Sequence, residues 1–289
     1  MKKIKKLMAA LVAGTIIMGG LVGCSSSASS KDTSAKVESG SIAEIKKRGT
    51  IKIGVFSDKA PFGYVDSNGK NQGFDVYIAK RFAKDLLGDE TKVEFVLVDA
   101  ASRVAYLESK KVDIIMANFT VTEERKQKVD FTNPYMKVSL GVVSPDSAKI
   151  TSIDQLKGKK VIVAKGTTAE TFLTKNYPDI QLVKYEQYSE IFQALKDKRG
   201  DAIVNDNTEV IAWAKENPGF SVGVPTLGGQ DTIAPAVTKG NKELLEWINT
   251  ELETLGKENF VHKAYDSTLK SVYGADYEES LVIEGGKLK

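Results

Sequence analysis

Cysteine and histidine are almost missing from this chain: Cys24 and His262 are the only ones in 289 residues. An internal disulfide is excluded, and neither a Cys/His zinc cluster nor a His-dependent serine or cysteine nucleophile is easy to build in the mature region. No metal or cofactor is expected. Proline is sparse, at 7 residues, and no Pro/Gly-rich linker divides the mature region, so two units would have to be joined by strands or short loops. A charge excess is missing as well. Lys+Arg number 41 against 38 Asp+Glu, and Lys2, Lys3, Lys5 and Lys6 precede Cys24; subtracting those four leaves 37 against 38 from Cys24 onward. Polyanion binding needs a clustered basic excess, so no nucleic-acid partner is expected. The 42% apolar and 27% charged residues exclude a disordered chain and a polytopic membrane protein. At about 150 residues per domain, the length favours two units.

A membrane span is missing too. The uncharged stretch Leu7–Val22 is 16 residues long and rises about 24 Å as a helix, short of a hydrocarbon core of about 30 Å. Behind four lysines it reads as a secretory signal over residues 1–23. Leu21-Val22-Gly23-Cys24 resembles the lipobox of bacterial lipoproteins, with Cys24 as the lipidated residue. The expected location is the extracytoplasmic face of the cell membrane, held there by the lipid. The Ser-rich stretch after it has almost nothing apolar to bury, so 24–41 reads as a flexible tether and the folded part as starting near Ile42.

From Ile42 onward, short β-rich runs alternate with amphipathic stretches, the pattern of an α/β fold with mainly parallel sheets. Strands are expected at Ile51–Phe56, Val93–Val98, Val112–Asn118, Val138–Ser144, Val161–Ala164, Gln181–Tyr185, Ala202–Val204 and Ile233–Thr238. Helices are expected at Asp75–Leu87, Arg103–Ser109, Glu123–Lys128, Ala169–Tyr177, Glu190–Lys198, Thr208–Glu216 and Lys242–Lys263. In Asp75–Leu87, Val76, Ala79, Phe82, Ala83, Leu86 and Leu87 recur at three- and four-residue spacing, and Gly88 follows as a C-terminal cap. Trp213 and Trp247 sit in helical patterns, where aromatic rings pack into a core. Asn133–Lys137 and Asp231–Pro235 are the two candidate crossings between units.

Four stretches carry a family likeness: Gly73-Phe74-Asp75-Val76, Asn118-Phe119-Thr120-Val121-Thr122-Glu123-Glu124-Arg125, Lys165-Gly166-Thr167-Thr168 and Asp201-Ala202-Ile203-Val204-Asn205-Asp206. In this order they resemble the extracellular solute-binding proteins of family 3, the polar-amino-acid receptors of ABC importers, over about Ile42 to Tyr273. The likeness is closer still to that family's cysteine-binding lipoproteins, through Ile53–Lys59, Pro61–Val65, Val204–Thr208 and Val282–Lys287. Tyr77 departs from the pattern, since the family usually has an acidic residue there. The resemblance implies an α/β type II periplasmic-binding-protein fold of two lobes joined by two hinge strands. Lobe 1 would be 42–136 and 235–289, and lobe 2 would be 137–234. It also implies an ABC permease as partner, and a monomer is expected.

A zwitterionic ligand loses water from a carboxylate and an ammonium together, so the protein must supply a partner for each. Arg125 is the carboxylate candidate, because a guanidinium can make two parallel bonds to two oxygens; the other reading is a solvated helix residue beside Glu124 and Lys126. Asn118, Thr120 and Thr122 lie in the segment that turns into that helix, and Thr122 also suits an N-cap. Thr167 and Thr168 open a helix after strand Val161–Ala164, where free backbone N–H groups attract an anion. A phosphate loop is discounted, since the G-x-x-x-x-G-K spacing is absent. Asp206 is the ammonium candidate, with an N-cap or Asx-turn role as the other reading; Asn205 is left as a wall residue. Side-chain selection is assigned to Phe56, Lys59, Tyr64 and Arg103. Arg103 suits a distal carboxylate as well as a cysteine ligand, so L-cysteine and the acidic amino acids both stay open. A dehydratase-type enzyme on the same fold is the rival of different class, and it would need a proton-transfer group over the reacting carbon.

Overall fold

The computed structural model describes residues 40–288; the leader, Cys24 and most of the 24–41 tether lie outside them. Ser41 caps the first helix, Ile42–Arg48, by accepting from the Glu44 N–H. That helix was not anticipated.

Two five-stranded sheets share one plan. In the first, the order is Val93–Leu97, Ile51–Val55, Ile114–Ile115, Ala236–Thr238, Val129–Phe131. In the second it is Gln181–Tyr185, Lys160–Ala164, Ala202–Asp206, Met136–Pro145, Phe220–Ile233. Each has three parallel strands, a fourth that runs against them, and a fifth that pairs antiparallel with the fourth. The chain passes from the first sheet to the second between Phe131 and Met136, and returns between Ile233 and Ala236. The two passages touch: Tyr135 N–H donates to Ile233 O (3.0 Å) and Thr132 N–H to Pro235 O (3.0 Å).

Helix Phe74–Leu87 follows the expected periodicity and buries Phe74, Ile78 and Phe82 against the first sheet and the C-terminal helices. Each such side chain contributes about 1.5–3 kcal/mol by leaving water. The helix opens at Gly73, φ 113°, where a Cβ would stand 2.3 Å from Phe62 O, so only glycine allows this entry. Trp247 packs edge-on against Phe82 (6.0 Å), and Trp213 stacks on Phe192 (4.7 Å), so both tryptophans serve packing.

Several elements differ from the sequence reading. Strand Val112–Asn118 shrinks to Ile114–Ile115, because the backbone bends to a left-handed Asn118, φ 42°. The expected strand Ile233–Thr238 is cut by Pro235, which cannot donate to a ladder: Ile233 ends one strand and Ala236 begins another. The Lys242–Lys263 helix breaks into Lys242–Gly256 and Phe260–Thr268 at left-handed Asn259, φ 51°, and both pieces thereby turn apolar faces to the same core. A small antiparallel sheet, Asp58–Lys59, Gly63–Val65 and Asn71–Gln72, was not anticipated, nor was strand Phe220–Ile233. Among the described residues no helix is long and apolar enough to cross a membrane.

Candidate functional site

Where the two sheets face each other, three cations alternate with two aromatic rings. The Lys59 ammonium lies 5.4 Å from the Phe56 ring and the Arg103 guanidinium 5.6 Å from it, while Arg103 and Arg125 lie 4.4 and 4.7 Å from the Phe119 ring. Lys59, Arg103, Phe56 and Phe119 are buried. Such cation–ring contacts strengthen as water is removed.

The lysine end is neutralised by the protein. Lys59 Nζ sits 2.8 Å from Asp206 Oδ2 and 3.1 Å from Glu209 Oε2, with all three side chains 7% exposed or less. It donates to Tyr188 Oη at 3.3 Å and stands 4.4 Å over that ring; Tyr188 in turn meets Phe56 edge-on at 5.1 Å. Burial pulls the Lys59 ammonium down, yet Asp206 and Glu209 outweigh it and hold it well above its ordinary value. Burial lifts Glu209 to about 8 against the pull of Lys59, and Asp206's like charge adds to the rise. Tyr188 is raised to about 12 by burial. Asp206 heads helix Asn207–Glu216 without a side-chain capping bond, so its carboxylate is free for the cluster. Asn205, buried, donates to Glu209.

The arginine end is built differently. Arg103 donates to the carbonyls of Ala100 (3.0 Å), Ala117 (3.0 Å), Asn118 (3.2 Å) and Gly166 (3.2 Å). Arg125 donates to Thr120 O (2.7 Å) and Gly166 O (2.9 Å). Both guanidiniums therefore converge from the first sheet's side on one carbonyl of the second. Gly166 has φ +73° and a Cβ there would lie 2.5 Å from Ala101 Cα, so the approach needs a glycine. Among the described residues neither guanidinium meets a carboxylate within 4.0 Å. Burial first, then the like charge of Arg103, pushes the Arg125 guanidinium below its ordinary value.

The threonines divide. Thr122 accepts from the Arg125 N–H (3.2 Å), capping the short helix Glu123–Lys126. Thr167 caps Thr168–Asn176 by accepting from the Glu170 N–H (3.3 Å), and its own proton goes to Ala164 O (2.7 Å). That hydroxyl has no proton left for an anion. Thr120 is buried and bridges Ile233. Thr168 shares with Arg125, Phe119, Thr122, Gly166 and Asp231 a groove of about 500 Å³. Tyr64 stands apart in the small sheet, opposite Asp58 and Gln72, with no aromatic or hydrogen-bonded partner in the cluster among the described residues.

Asn118 is 2% exposed and neither end of its side-chain amide has a partner among the described residues. Its backbone is set by Asp75, which accepts the Asn118 N–H (2.7 Å) and the Tyr135 hydroxyl (2.6 Å). Burial raises Asp75 to about 7 against those two bonds. Asp75 is thus a positioning residue that ties helix Phe74–Leu87 to the site. Glu209, Tyr188 and Asp231 escaped the sequence reading. For Glu209 a signal existed, since it lies four residues after Asn205 and one helical turn after Asp206; Tyr188 had none.

A line of desolvated cations, with an acid cluster paired to one end and, among the described residues, carbonyls as the hydrogen-bond partners of the other, is a site for a small charged solute. The family model for bacterial extracellular solute-binding proteins, family 3, matches residues 51–270. The chain belongs to that family. Two solved structures fit it along most of its length. The solute receptor for L-cysteine of Neisseria gonorrhoeae is 56% identical with a TM-score of 0.83, covering 84% of this chain and 100% of its own. The cysteine-binding protein of Campylobacter jejuni is 55% identical with the same TM-score of 0.83, covering 84% and 98%. The ABC transporter glutamine-binding protein GlnH of Bacillus subtilis is 34% identical over 273 residues, 93% of this chain and 98% of its own. All three are named as solute-binding proteins rather than enzymes, and the fold of this family 3 member is the α/β type II one the sequence resemblance implied.

Proposed function

We propose that this protein is a lipid-anchored extracytoplasmic receptor that closes two lobes over an amino acid, L-cysteine before all others, and delivers it to an ABC import permease. The observation that carries the reading is the split of charge along the site. Among the described residues, the two guanidiniums Arg103 and Arg125 hydrogen-bond to carbonyls alone, which leaves a positive charge for a ligand carboxylate to neutralise. Asp206, with Glu209 behind it, offers negative charge for the ammonium. The identity of 55% and 56% to proteins named for cysteine supports the choice of ligand.

In this reading lobe 1 is 42–136 with 235–289, lobe 2 is 137–234, and the paired passages at 131–136 and 233–236 are the hinge. Arg125 and Thr168 face the carboxylate, Asn118 and Thr120 line its approach, Asp206 takes the ammonium, and Phe56 and Arg103 border the side chain. Thr122 and Thr167 act through the backbones they cap. Cys24 carries the anchor, and the receptor works as a monomer.

Calorimetric titration of the purified domain under reducing conditions with cysteine, serine, aspartate, glutamate and glutamine tests the ligand. Tightest binding of cysteine supports the assignment. Tighter binding of aspartate or glutamate would instead make Arg103 the partner of a distal carboxylate. Delivery and anchoring are tested in the native host: Cys24→Ala should leave precursor or released protein, and normal lipid labelling of that variant would refute the anchor.

A further inference from the structure

Lys59 is a cation of the protein standing where a ligand's own cation must go. Its ammonium is enclosed, 2.8 Å from Asp206, 3.1 Å from Glu209 and 3.3 Å from the Tyr188 hydroxyl. Asp206 balances Lys59 and Glu209, raised to about 8, keeps its proton until a second cation arrives; the α-ammonium of an amino acid is that cation, the Glu209 proton leaves to solvent, and two carboxylates then stand against two ammoniums. The count is then closed. A side chain bearing another cation would find Lys59 at one end of the row and Arg103 with Arg125 at the other, with both carboxylates of the cluster taken and Asp231 in the groove lined by Arg125.

We infer that Lys59 is the specificity-determining residue that bars amino acids with cationic side chains, acting by charge rather than by space. This rests on the amino-acid reading of the site. A side-chain amine three carbons from the α-nitrogen stays within about 10 Å of Lys59 if the α-ammonium sits on Asp206. In a desolvated site of effective dielectric about 20, two like charges at that distance cost about tenfold or more in affinity. Removing Lys59 reverses the sign, because it frees a carboxylate that the ligand's second cation can take.

The test compares L-homoserine with L-2,4-diaminobutyrate, which have the same chain length and differ in carrying a hydroxyl or an ammonium. Calorimetry on the wild type should show homoserine favoured by about tenfold or more. Lys59→Met should swing the ratio by at least that factor toward diaminobutyrate, Lys59→Arg should keep the wild-type preference, and adding Glu209→Gln to Lys59→Met should remove the swing. A wild type that binds cysteine but takes both compounds within about threefold overturns charge selection alone, as does a folded Lys59→Met variant with an unchanged ratio. A wild type that binds no amino acid overturns the amino-acid reading, and this inference with it. If Lys59→Met does not fold, the wild-type ratio and the Lys59→Arg variant decide.

Discussion

The two ends of the site solve the same problem in opposite ways. At the lysine end, a buried cation is neutralised by carboxylates that the chain itself provides across the gap between the sheets. At the arginine end, two cations are hydrogen-bonded to carbonyls, which satisfies their N–H groups and leaves their charge standing. A hydrogen bond and a counter-charge are different requirements, and desolvation makes the second one the costlier to omit. The first end carries its own counter-charge, with Glu209 as a second acid in reserve; in the proposed reading the ligand carboxylate supplies the counter-charge at the second. Each end also joins the two sheets, through Asp206 in one case and Gly166 O in the other.

The sharpest way to break this comparison is to remove the cation at each end and measure stability. Lys59→Ala leaves Asp206 as a buried carboxylate without its cation, beside Glu209, and should cost about 3–5 kcal/mol in chemical denaturation. Arg125→Ala strands carbonyls only, and should cost about 1–3 kcal/mol without ligand. Equal losses would erase the distinction. Ligand affinity should respond in the other sense: Arg125→Ala and Asp206→Ala should each weaken binding by about 2–5 kcal/mol, or roughly 30- to several-thousand-fold. A loss under about threefold in a folded variant, read by titration calorimetry, would return the residue to an ordinary capping or packing role.

Two buried carboxyls, Glu209 at the lysine end and Asp75 behind Asn118, should set the pH dependence. Glu209, raised to about 8, and Asp75, raised to about 7, hold protons in the folded state that the unfolded chain has already released. The folded state binds more protons from the unfolded carboxylate range near pH 4 up to about pH 8, so stability falls as pH rises through that window. The slope is at most about 1.4 kcal/mol per pH unit for each group. Denaturation midpoints across the window should decline, and Glu209→Gln should flatten the upper part; a rise in wild-type stability over the same range would sink the assignment.

What could be read in advance follows from the kind of signal each feature leaves. Helix Phe74–Leu87 was legible because one face repeats apolar residues and Gly73 and Gly88 punctuate it. Arg125 and Asp206 stood out through motif likeness, and the structure brings both to the facing sheets. Strand Phe220–Ile233 was illegible, since Gly223, Pro225, Gly228 and Gly229 deny it alternation, and its pairing with Met136–Pro145 slips register three times. Lys59 was assigned to side-chain selection, but its burial could not be read locally, because Asp206 and Glu209, far along the chain, make its enclosure tolerable. Asp75 was noticed as part of a motif, but its grip on the Asn118 backbone depends on a left-handed turn that no local pattern announces.

Thr167 gives the smallest effect and sharpens the arginine end. It was expected to reach the ligand anion at a helix start, yet its hydroxyl proton is committed to Ala164 O at 2.7 Å and the oxygen accepts the Glu170 N–H at 3.3 Å. An oxygen in that state presents lone pairs, which an anion avoids. Thr167→Ala should therefore remove a helix cap worth about 1 kcal/mol of stability. Affinity should shift by less than about threefold, because Gly166 O and the start of helix Thr168–Asn176 remain in place beside Arg125. Thermal denaturation and calorimetry on the same preparation separate the two quantities. An affinity loss of tenfold or more, with stability unchanged, would mean that the hydroxyl rotates to donate to the ligand and that the arginine end recruits side chains as well as charge.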